Sequence, residues 1–405
     1  MDMRTVSDDI KFSDGDDVSP CVAAESWSTE GQAAPVSSEF APCFHGGAFF
    51  DGIGDGFETL DRRREVINAD VLDAWFPPSP LVEEALREHL PWLLRTSPPT
   101  GCEGMLRAIA KARGVNIASL LPGAGSSDLI FRAFRQWLDP DSRVLLLDPT
   151  YGEYAHVLEN VIGCRVDRFT LSPEEDFDLP VDRFEEVAGR GYDLIVLVNP
   201  NSPTGRHVPR VELAPLLGRL PVATRVWIDE TYIDYVGADE SFETTAANSR
   251  NIVVCKSMSK GYALSGARVA YLCGPEEVID DLRLITPPWV VGLPSQVAAV
   301  KALEDRAYYE RRHRETHELR DELASGLSGL GWTVVPGCAN FLLCRLPDSG
   351  CDAATLVERC RAKGLFLRDA SNMGAQMGDR RIRIAVKGAA ENRRAMAILR
   401  EALRG

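Results

Sequence analysis

Short apolar runs alternate with helical patterns between about residue 79 and residue 275. Four of these runs are continuous and rich in Val, Ile and Leu, and we predict strands at 143–148, 193–199, 225–229 and 251–255. Continuous runs of this kind are typical of parallel strands that helices cover on both faces. The pattern therefore predicts an α/β fold with a mainly parallel central sheet.

A smaller α+β domain is predicted after about residue 294, where a helical pattern leads to strand-like runs at 332–335 and 381–386 and then to a final helix. We predict a large domain over 96–293, a C-terminal small domain over 294–405, and a segment at 46–95 that contributes to the small domain. Within that segment Ser79 and Pro80 mark a helix start, as N-cap and first-turn residue.

Residues 1–45 differ from the rest in composition. They hold nine acidic residues against two basic ones, with many Ser, Ala and Pro residues and little periodicity. Such a segment cannot bury enough apolar surface to fold by itself. We predict a disordered acidic tail.

Composition excludes several classes of protein. A formal charge of −15 over 405 residues argues against a nucleic-acid partner, and no apolar run approaches the length of a membrane span. The ten cysteines form no CxxC pair and no metal-ligand spacing with histidine, so we expect reduced thiols and no metal site. Charged residues rather than a signal segment follow Met1, so we expect a cytoplasmic protein.

Each of the four predicted strands ends in a polar cluster. Tyr151 follows the first strand, Asn201 the second, Asp229 and Tyr232 the third, and Lys260 the fourth. Ligands of α/β sheets bind at the carboxyl ends of the strands. The four clusters therefore predict one shared site.

The Lys260 cluster has the chemistry to hold a phosphorylated aldehyde. A primary amine can form a Schiff base with the carbonyl carbon of pyridoxal phosphate. Ser257, Ser259 and Arg268 lie close to it in the sequence and supply donors that suit a phosphate dianion. Taken alone, the Ser-x-Ser-Lys run is more typical of an ordinary solvated loop lysine, so the other clusters decide the interpretation.

Three further requirements of pyridoxal phosphate have candidates at the neighbouring strand ends. The Asp229 carboxylate can keep the pyridine nitrogen protonated, Tyr232 and Asn201 can donate to the 3′-oxygen, and Tyr151 can stack on the ring. Each also has a structural alternative: a helix cap or ion pair for Asp229, packing for the two tyrosines, and a turn for Asn201.

The phosphate and a substrate carboxylate need donors as well. Gly125, Ser126 and Ser127 precede a helical pattern, so they can present N–H groups and hydroxyls where the helix dipole favours an anion. Arg383 alternates with apolar residues in the late strand and can clamp an α-carboxylate bidentately. A surface arginine is the alternative for Arg383.

Together and in this order the motifs resemble the fold-type I pyridoxal-phosphate enzymes, the aspartate aminotransferase superfamily. The order is Gly-x-Gly-Ser, Pro-Thr-Tyr, Asn-x-Pro-Thr-Gly, Asp-x-x-Tyr, Ser-x-Ser-Lys and finally Arg-Ile. Within the superfamily the chain is similar to the histidinol-phosphate aminotransferase branch, which includes threonine-phosphate decarboxylases. The similarity spans roughly residues 65–405.

The resemblance implies an aspartate-aminotransferase-like fold, a homodimer, pyridoxal 5′-phosphate as cofactor, and three sets of site residues. Lys260, Asp229 and Tyr232 are implied to be catalytic, with Lys260 as Schiff-base lysine and proton shuttle. The implied cofactor set is Gly125, Ser126, Ser127, Tyr151, Asn201, Asp229, Tyr232, Ser257, Ser259, Lys260 and Arg268. The implied substrate set is Arg383 for the α-carboxylate, Arg368 for a distal anion, and Asn340.

Several positions depart from the branch. Many relatives have asparagine directly before Pro-Thr-Gly, where this chain has Ser202, so Asn201 and Asn199 both stay open as the aligned residue. The tyrosine of Glu-Asn-Pro-Tyr-Gly is missing from 73–78, another is replaced near Thr96, and Lys387 stands where glycine is usual. Since the cofactor motifs are kept while substrate-facing ones have changed, we expect a role in specialised metabolism.

Three functions fit these observations. The first is transamination of an amino acid or amine, with a keto acid as co-substrate. The second is another carbanion reaction on the same fold: decarboxylation, elimination or carbon–carbon bond formation. The third is a non-catalytic sensor that binds pyridoxal phosphate, which would need a basic DNA-binding domain where this chain has an acidic segment.

Overall fold

The computed structural model describes residues 46–54 and 56–404, so the predicted tail over 1–45 lies outside the described residues. Its strands are β1 (Ile67–Asn68), β2 (Leu120–Gly123), β3 (Arg143–Asp148), β4 (Arg165–Thr170), β5 (Leu194–Val198), β6 (Arg225–Asp229), β7 (Ile252–Ser257), β8 (Ala270–Cys273), β9 (Thr333–Val334), β10 (Phe341–Arg345), β11 (Leu365–Phe366), β12 (Arg368–Asp369) and β13 (Arg381–Ala385). Its helices are α1 (Phe50–Ile53), α2 (Pro80–Arg95), α3 (Glu103–Arg113), α4 (Ser126–Trp137), α5 (Gly152–Ala155), α6 (Val181–Ala188), α7 (Arg210–Arg219), α8 (Glu243–Ala247), α9 (Glu276–Leu284), α10 (Leu293–Glu304), α11 (Arg306–Ser328), α12 (Ala353–Arg361) and α13 (Ala389–Ala402). None of these helices combines the length and the apolar character that crossing a membrane requires.

A seven-stranded sheet forms the centre of the fold, in the order β2-β8-β7-β6-β5-β3-β4. Strands β7, β6, β5, β3 and β4 pair with one another in parallel, and β8 is antiparallel to both β7 and β2. The four strands predicted from continuous apolar runs are β3, β5, β6 and β7. The mainly parallel α/β sheet is therefore confirmed.

The central sheet is buried on both faces, which explains why its strands lack polar alternation. In β3, Val144 and Leu146 join one apolar cluster while Leu145 and Leu147 join the other. Helices α3, α6, α7 and α10 pack on one side, and α4 and α9 on the other. Each such side chain contributes about 1.5–3 kcal/mol on burial, so the sheet is a rigid platform for groups at its edge.

A second, antiparallel sheet has the order β12-β13-β10-β9, and β1 pairs in parallel with β11 beside it. Its register places Arg383 opposite Leu343 on one side and opposite Arg368 on the other. A separate apolar cluster covers this sheet and includes residues of α11, α12 and α13. The predicted limits of the domains stay a prediction.

Helix α2 begins where the sequence predicted, but its cap differs. Pro80 is the first helical residue and Ser79 takes the N-cap position, yet the Ser79 side chain makes no capping hydrogen bond. Instead the Ser79 backbone N–H donates to the Tyr309 hydroxyl at 3.0 Å. The helix start is therefore tied to α11 rather than capped by its own serine.

Candidate active site

A cavity of about 240 Å³ lies at the carboxyl ends of β5, β6 and β7. Nine residues predicted from the sequence line it: Ser126, Ser127, Tyr151, Asp229, Tyr232, Ser259, Lys260, Arg268 and Arg383. The remaining lining residues are Val71, Leu72, Val198, Ser202 and Thr231. The fold thus brings together side chains that lie up to 312 residues apart in the sequence, from Val71 to Arg383.

The other five predicted residues do not line this cavity. Gly125 forms the turn before α4, and the Ser257 hydroxyl accepts from the backbone N–H of Ser259 at 3.3 Å. Asn340 is fully buried and donates from Nδ2 to the Leu72 carbonyl at 3.0 Å, so it holds a lining residue in place. Asn201 and Arg368 are described below with their partners.

Lys260 reaches the cavity from the loop that follows β7. Its Nζ lies 3.1 Å from Oδ1 of Asp73 and 3.4 Å from the Ser265 hydroxyl. Burial lowers the pKa of Lys260; the Asp73 carboxylate opposes this, and the charges of Arg383 and Arg268 add to it. An amine whose pKa lies below its ordinary value holds a larger neutral fraction, and the neutral amine is the nucleophile.

Lys256 is the other lysine of this segment, and the structure excludes it from the cavity. It is fully buried, with Nζ 3.3 Å from Glu243, 3.6 Å from Glu230 and 3.7 Å from Asp234. These three carboxylates hold the ammonium in place, since releasing it would leave unpaired charges in the core. Lys260 is therefore the amine available to a ligand.

Asp229 ends β6 and is almost fully buried. Its Oδ2 accepts from the Tyr154 hydroxyl at 2.7 Å, and its Oδ1 accepts from the Thr231 backbone N–H at 2.9 Å and hydroxyl at 2.6 Å. Burial raises the pKa of Asp229, although these hydrogen bonds oppose the shift. A cationic group facing this carboxylate would offset the cost of its burial.

The loop after β5 presents Ser202 to the cavity and turns Asn201 away. Asn201 donates from Nδ2 to the Pro149 carbonyl at 3.0 Å and to Thr204 at 3.2 Å, so its amide is used to hold the loop. Tyr232 and Ser202 both line the cavity. Burial raises the pKa of Tyr232, so its hydroxyl stays protonated and can donate to an oxygen.

The part of the cavity wall formed by Arg268 and the start of α4 has the features of an anion site. Gly125 has φ 92°, and a Cβ at this position would collide with the Arg268 guanidinium, so only glycine lets the two approach. Ser126 and Ser127 begin α4, where backbone N–H groups are unpaired by the helix. Arg268 and this helix start together suit a phosphate dianion.

Glu153 was not predicted, and it organises two residues that were. Its Oε2 accepts from the Tyr151 hydroxyl at 2.6 Å and from the Ser127 hydroxyl at 2.9 Å. The Ser127 hydroxyl is thereby directed to a carboxylate, which leaves its backbone N–H as the donor for an anion. The hydrogen bond also fixes the orientation of the Tyr151 ring at the cavity wall.

Arg383 brings a buried positive charge to the cavity. Its Nη2 donates to the Asp70 carbonyl at 3.1 Å and its Nη1 to Ser202 at 3.4 Å, while its Nε has no hydrogen-bond partner among the described residues. Burial lowers the pKa of Arg383. The Asp70 carboxylate opposes the effect of burial, but the hydrogen bonds of Arg383 go to a carbonyl and a hydroxyl. A buried guanidinium with a donor to spare favours a carboxylate ligand.

Arg368 lies directly opposite Arg383 on the neighbouring strand and is nearly as buried. It does not line the cavity of about 240 Å³. Side chains of directly opposed residues project from the same face of a sheet. Arg368 therefore adds positive charge next to Arg383 without reaching the cavity wall itself.

Sequence reasoning missed Asp73, Ser202 and Glu153. Asp73 lies 187 residues from Lys260 in the sequence, and no local pattern announces their contact. Ser202 was identified only as an interruption of the asparagine motif. The sequence did contain a signal for Glu153. It is a carboxylate two residues after Tyr151, whose ring is predicted to stack, and it lies near a strand end with other polar residues.

The arrangement fits pyridoxal phosphate on the chemistry of its donors. An accessible amine, a buried carboxylate with no cationic partner among the described residues, a protonated phenol and an anion site at a helix start surround a single cavity. The glycine at position 125, where a Cβ would strike Arg268, is the clearest sign that close backbone approach is required. A buried guanidinium remains for a second acidic group.

Comparisons with known proteins agree with this interpretation. Residues 78–402 match the family described as Aminotransferase class I and II. A histidinol-phosphate aminotransferase of Paramagnetospirillum magneticum is 33% identical over 328 residues, which cover 80% of this chain and 88% of that protein. One from Moorella thermoacetica is 29% identical over 356 residues, 86% of this chain and 89% of that protein.

Solved structures show the same fold. The histidinol-phosphate aminotransferase from Sinorhizobium meliloti in complex with pyridoxal-5′-phosphate has a TM-score of 0.76 at 22% identity, covering 91% of this chain and 99% of that one. The L-threonine-O-3-phosphate decarboxylase from Porphyromonas gingivalis has a TM-score of 0.74 at 22% identity, covering 84% and 100%. The aspartate-aminotransferase-like fold expected from the motifs is confirmed.

Proposed function

Because the chain belongs to the class I and II aminotransferases and is a pyridoxal-phosphate-dependent transferase, we propose that the cavity beside Lys260 is its active site and that it transfers the amino group of an amino acid or amine to a keto acid. The observation that carries the proposal is the meeting of Lys260, Asp229 and Arg383 around one cavity. These are an amine, a carboxylate and a carboxylate-binding cation.

Each residue has a role that follows from its surroundings. Lys260 would hold the cofactor through Nζ, and the same amine would take a proton from the substrate carbon and return it. Asp229 would keep the pyridine nitrogen protonated, while Tyr232 and Ser202 would hold the 3′-oxygen. Arg268 and the start of α4 bind the phosphate. The bound cofactor would supply an electron sink for the electron pair that the departing proton leaves on the substrate carbon.

Amino transfer separates this proposal from other reactions of the fold. The test is a screen of the purified, cofactor-loaded protein against amino acids and phosphorylated amines, followed by absorbance and by mass analysis of products. With a keto acid present as acceptor, we expect a keto product from the amino donor and an amino acid formed from the keto acid. Release of carbon dioxide without a keto product would instead identify a decarboxylase, and the absence of any response across the screen would favour a sensor.

We propose a substrate other than histidinol phosphate, with an anionic group beyond its amine-bearing carbon. The departure at 73–78 supports this, since Phe76 is buried and packs against Tyr308, Tyr309 and His313 with ring centroids 6.3–6.4 Å apart. The paired charges of Arg383 and Arg368 support the anionic group. A role in specialised metabolism follows as part of the same proposal.

Arg383 and Arg368 should differ in which substrates they serve. Arg383→Lys should lower kcat/KM by about 10²-fold for every amino acid, because lysine loses the bidentate fork. Arg368→Ala should weaken binding only of substrates with a distal anion, by about tenfold. The measurement compares a phosphorylated amino compound with a neutral amino acid of similar size, in wild type and in each variant.

Arg381 supplies the matched control for this comparison. It lies on the same strand as Arg383, but its guanidinium donates to the Met377 carbonyl at 2.6 Å outside the cavity. Arg381→Lys should leave the two substrates unaffected relative to each other. An equal loss of both substrates in Arg368→Ala would show that Arg368 is structural and would remove the distal-anion part of the proposal.

We propose a homodimer on the basis of apolar side chains that the described surface leaves exposed. Leu94 and Trp92 at the end of α2 are 70% and 51% exposed, and Trp289 is 54% exposed. The backbone N–H of Trp289 donates to the Thr100 carbonyl at 3.2 Å, which brings the loop of Trp289 beside the segment after α2. Apolar surface of this kind supports a protein interface.

Leu94→Glu should shift the protein from twice the chain mass toward the mass of one chain, because a buried carboxylate at an interface is costly. Light scattering at working concentration measures this. Val211→Glu is the control, since Val211 on α7 is 78% exposed but distant from α2 in the sequence. A wild-type protein of single-chain mass with full activity would contradict the dimer.

We also propose a cytoplasmic location. All eight cysteines that the structure describes are free, and most are buried. Free thiols suit a reducing compartment.

A further inference from the structure

Asp73 forms an ion pair with Lys260 that the proposed roles leave unused. Its Oδ1 lies 3.1 Å from Lys260 Nζ, and the Asp73 side chain is 34% exposed while that of Lys260 is 17% exposed. Burial alone would raise the pKa of the Asp73 carboxyl, but Lys260 and Ser265 outweigh it and the pKa lies below its ordinary value. The reactive amine therefore has an ionised carboxylate in direct contact.

A second lysine contacts the same aspartate from the other side. Lys387 follows β13, is 7% exposed, and donates from Nζ to the Asp73 carbonyl at 3.4 Å. Asn392 pins the Lys387 backbone, accepting its N–H at 3.0 Å and donating to its carbonyl at 2.8 Å. The position of this ammonium is thus fixed by the fold, with one carbonyl as its hydrogen-bond partner among the described residues.

The charges that face this group come from several elements. Lys260 is faced by Asp73 from the segment after β1, by Arg268 from the loop after β7, and by Arg383 from β13. Lys387 is faced by Asp73, by Lys260, and by Glu391 from α13. Burial lowers the pKa of Lys387, Asp73 and Glu391 oppose this shift, and repulsion from the charge of Lys260 adds to it. Because repulsion between two like charges is mutual, it also disfavours the ammonium form of Lys260.

Lys260 has to gain and lose one proton in each half of an amino transfer, so the balance between its two protonation states is part of its function. Asp73 stabilises the ammonium form by attraction, and Lys387 destabilises it by repulsion. We propose that Asp73 and Lys387 act as an opposed pair of charges that sets when Lys260 holds its proton, Asp73 as its ionic partner and Lys387 as a positioning residue. This inference rests on the proposed role of Lys260.

Covalent attachment of pyridoxal phosphate to the cofactor-free full chain reports on this balance. The neutral amine of Lys260 bonds to the carbonyl carbon, and the oxygen leaves as water. The curve of attachment rate against pH therefore has its midpoint at the pKa of Lys260, and below this midpoint the rate follows the neutral fraction of Lys260. The rate is measured between about pH 6 and pH 10 by borohydride trapping and peptide mass analysis at Lys260.

The two variants should move the midpoint in opposite directions. Asp73→Asn removes an attractive charge, so the midpoint should fall by about one pH unit and attachment below it should become about tenfold faster. Lys387→Met removes a repulsive charge, so the midpoint should rise by about half a unit and attachment should become about threefold slower. If Asp73 and Lys387 had purely structural roles, the two variants would not shift the midpoint in opposite directions.

Charge-conserving variants complete the test. Lys387→Arg should keep the wild-type midpoint, and Lys387→Gln replaces Lys387→Met if the methionine variant does not fold. The inference is overturned if both charge removals shift the midpoint in one direction, if neither shifts it, or if Lys387→Arg behaves like Lys387→Met. Failure of wild-type Lys260 to attach the cofactor would instead overturn the proposed function.

Discussion

Lys260→Ala should reduce amino transfer by about 10⁴-fold or more, because the variant loses both the attachment point of the cofactor and the group that moves the proton. Lys260 is the amine that lines the cavity, whereas Lys256 is held by three carboxylates in the core. The variant should still fold, since Lys260 makes a single ion pair with the partly exposed Asp73. Steady-state kinetics and thermal unfolding measure the two effects.

Borohydride reduction with peptide mapping identifies the attachment site independently of activity. Label should appear on Lys260 in the wild type and vanish in Lys260→Ala. Lys301, which is on the surface of α10 with a side chain 38% exposed, is the control for non-specific reaction with the aldehyde. Label on Lys256 or on another lysine, or full turnover by Lys260→Ala, would show the assignment to be wrong.

Asp229→Asn should lower kcat by about 10³-fold, which corresponds to about 4 kcal/mol of lost transition-state stabilisation. The amide keeps the size of the side chain and removes the charge that holds a proton on the pyridine nitrogen. Cofactor should still bind, more weakly, because the phosphate end of the cavity is unchanged. The measurements are kcat and the dissociation constant of the cofactor.

Tyr154→Phe separates the charge of Asp229 from its hydrogen bonds. It removes the 2.7 Å donor to Oδ2 and leaves the carboxylate in place. We expect a loss of only a few-fold in kcat from this variant. Equal losses in Tyr154→Phe and Asp229→Asn would assign the effect to geometry rather than charge, and unchanged turnover in Asp229→Asn would remove the residue from the mechanism.

The central sheet could be predicted because its burial on both faces leaves a local record in the sequence. Runs such as Val144–Leu147 contain no polar residue, since helices cover each side of the strand. Residues at the strand ends could be predicted for the same reason: once the strands are parallel, Tyr151, Asp229 and Lys260 must meet at one edge.

What escaped prediction depends on contacts between distant segments or on the direction of a single side chain. Asp73 meets Lys260 because β1 packs beside the C-terminal sheet, and no spacing of residues in the sequence indicates this contact. Asn201 and Ser202 are adjacent, and the path of one loop decides which of them enters the cavity. The Ser79 hydroxyl makes no capping hydrogen bond, because the N–H groups of Val82 and Glu83 donate to the Ser79 backbone carbonyl instead.

The groups that we propose to activate a bond and those that we propose to select a substrate are attached to different sheets. Lys260, Asp229 and the start of α4 follow strands of the seven-stranded sheet, whereas Arg383 and Arg368 are neighbours in the antiparallel one. Substitutions along β12 and β13 can therefore redirect recognition while the reactive chemistry is inherited unchanged. Such a division makes this scaffold evolvable, because a new metabolic role can be reached through a few changes in a four-stranded sheet without rebuilding catalysis.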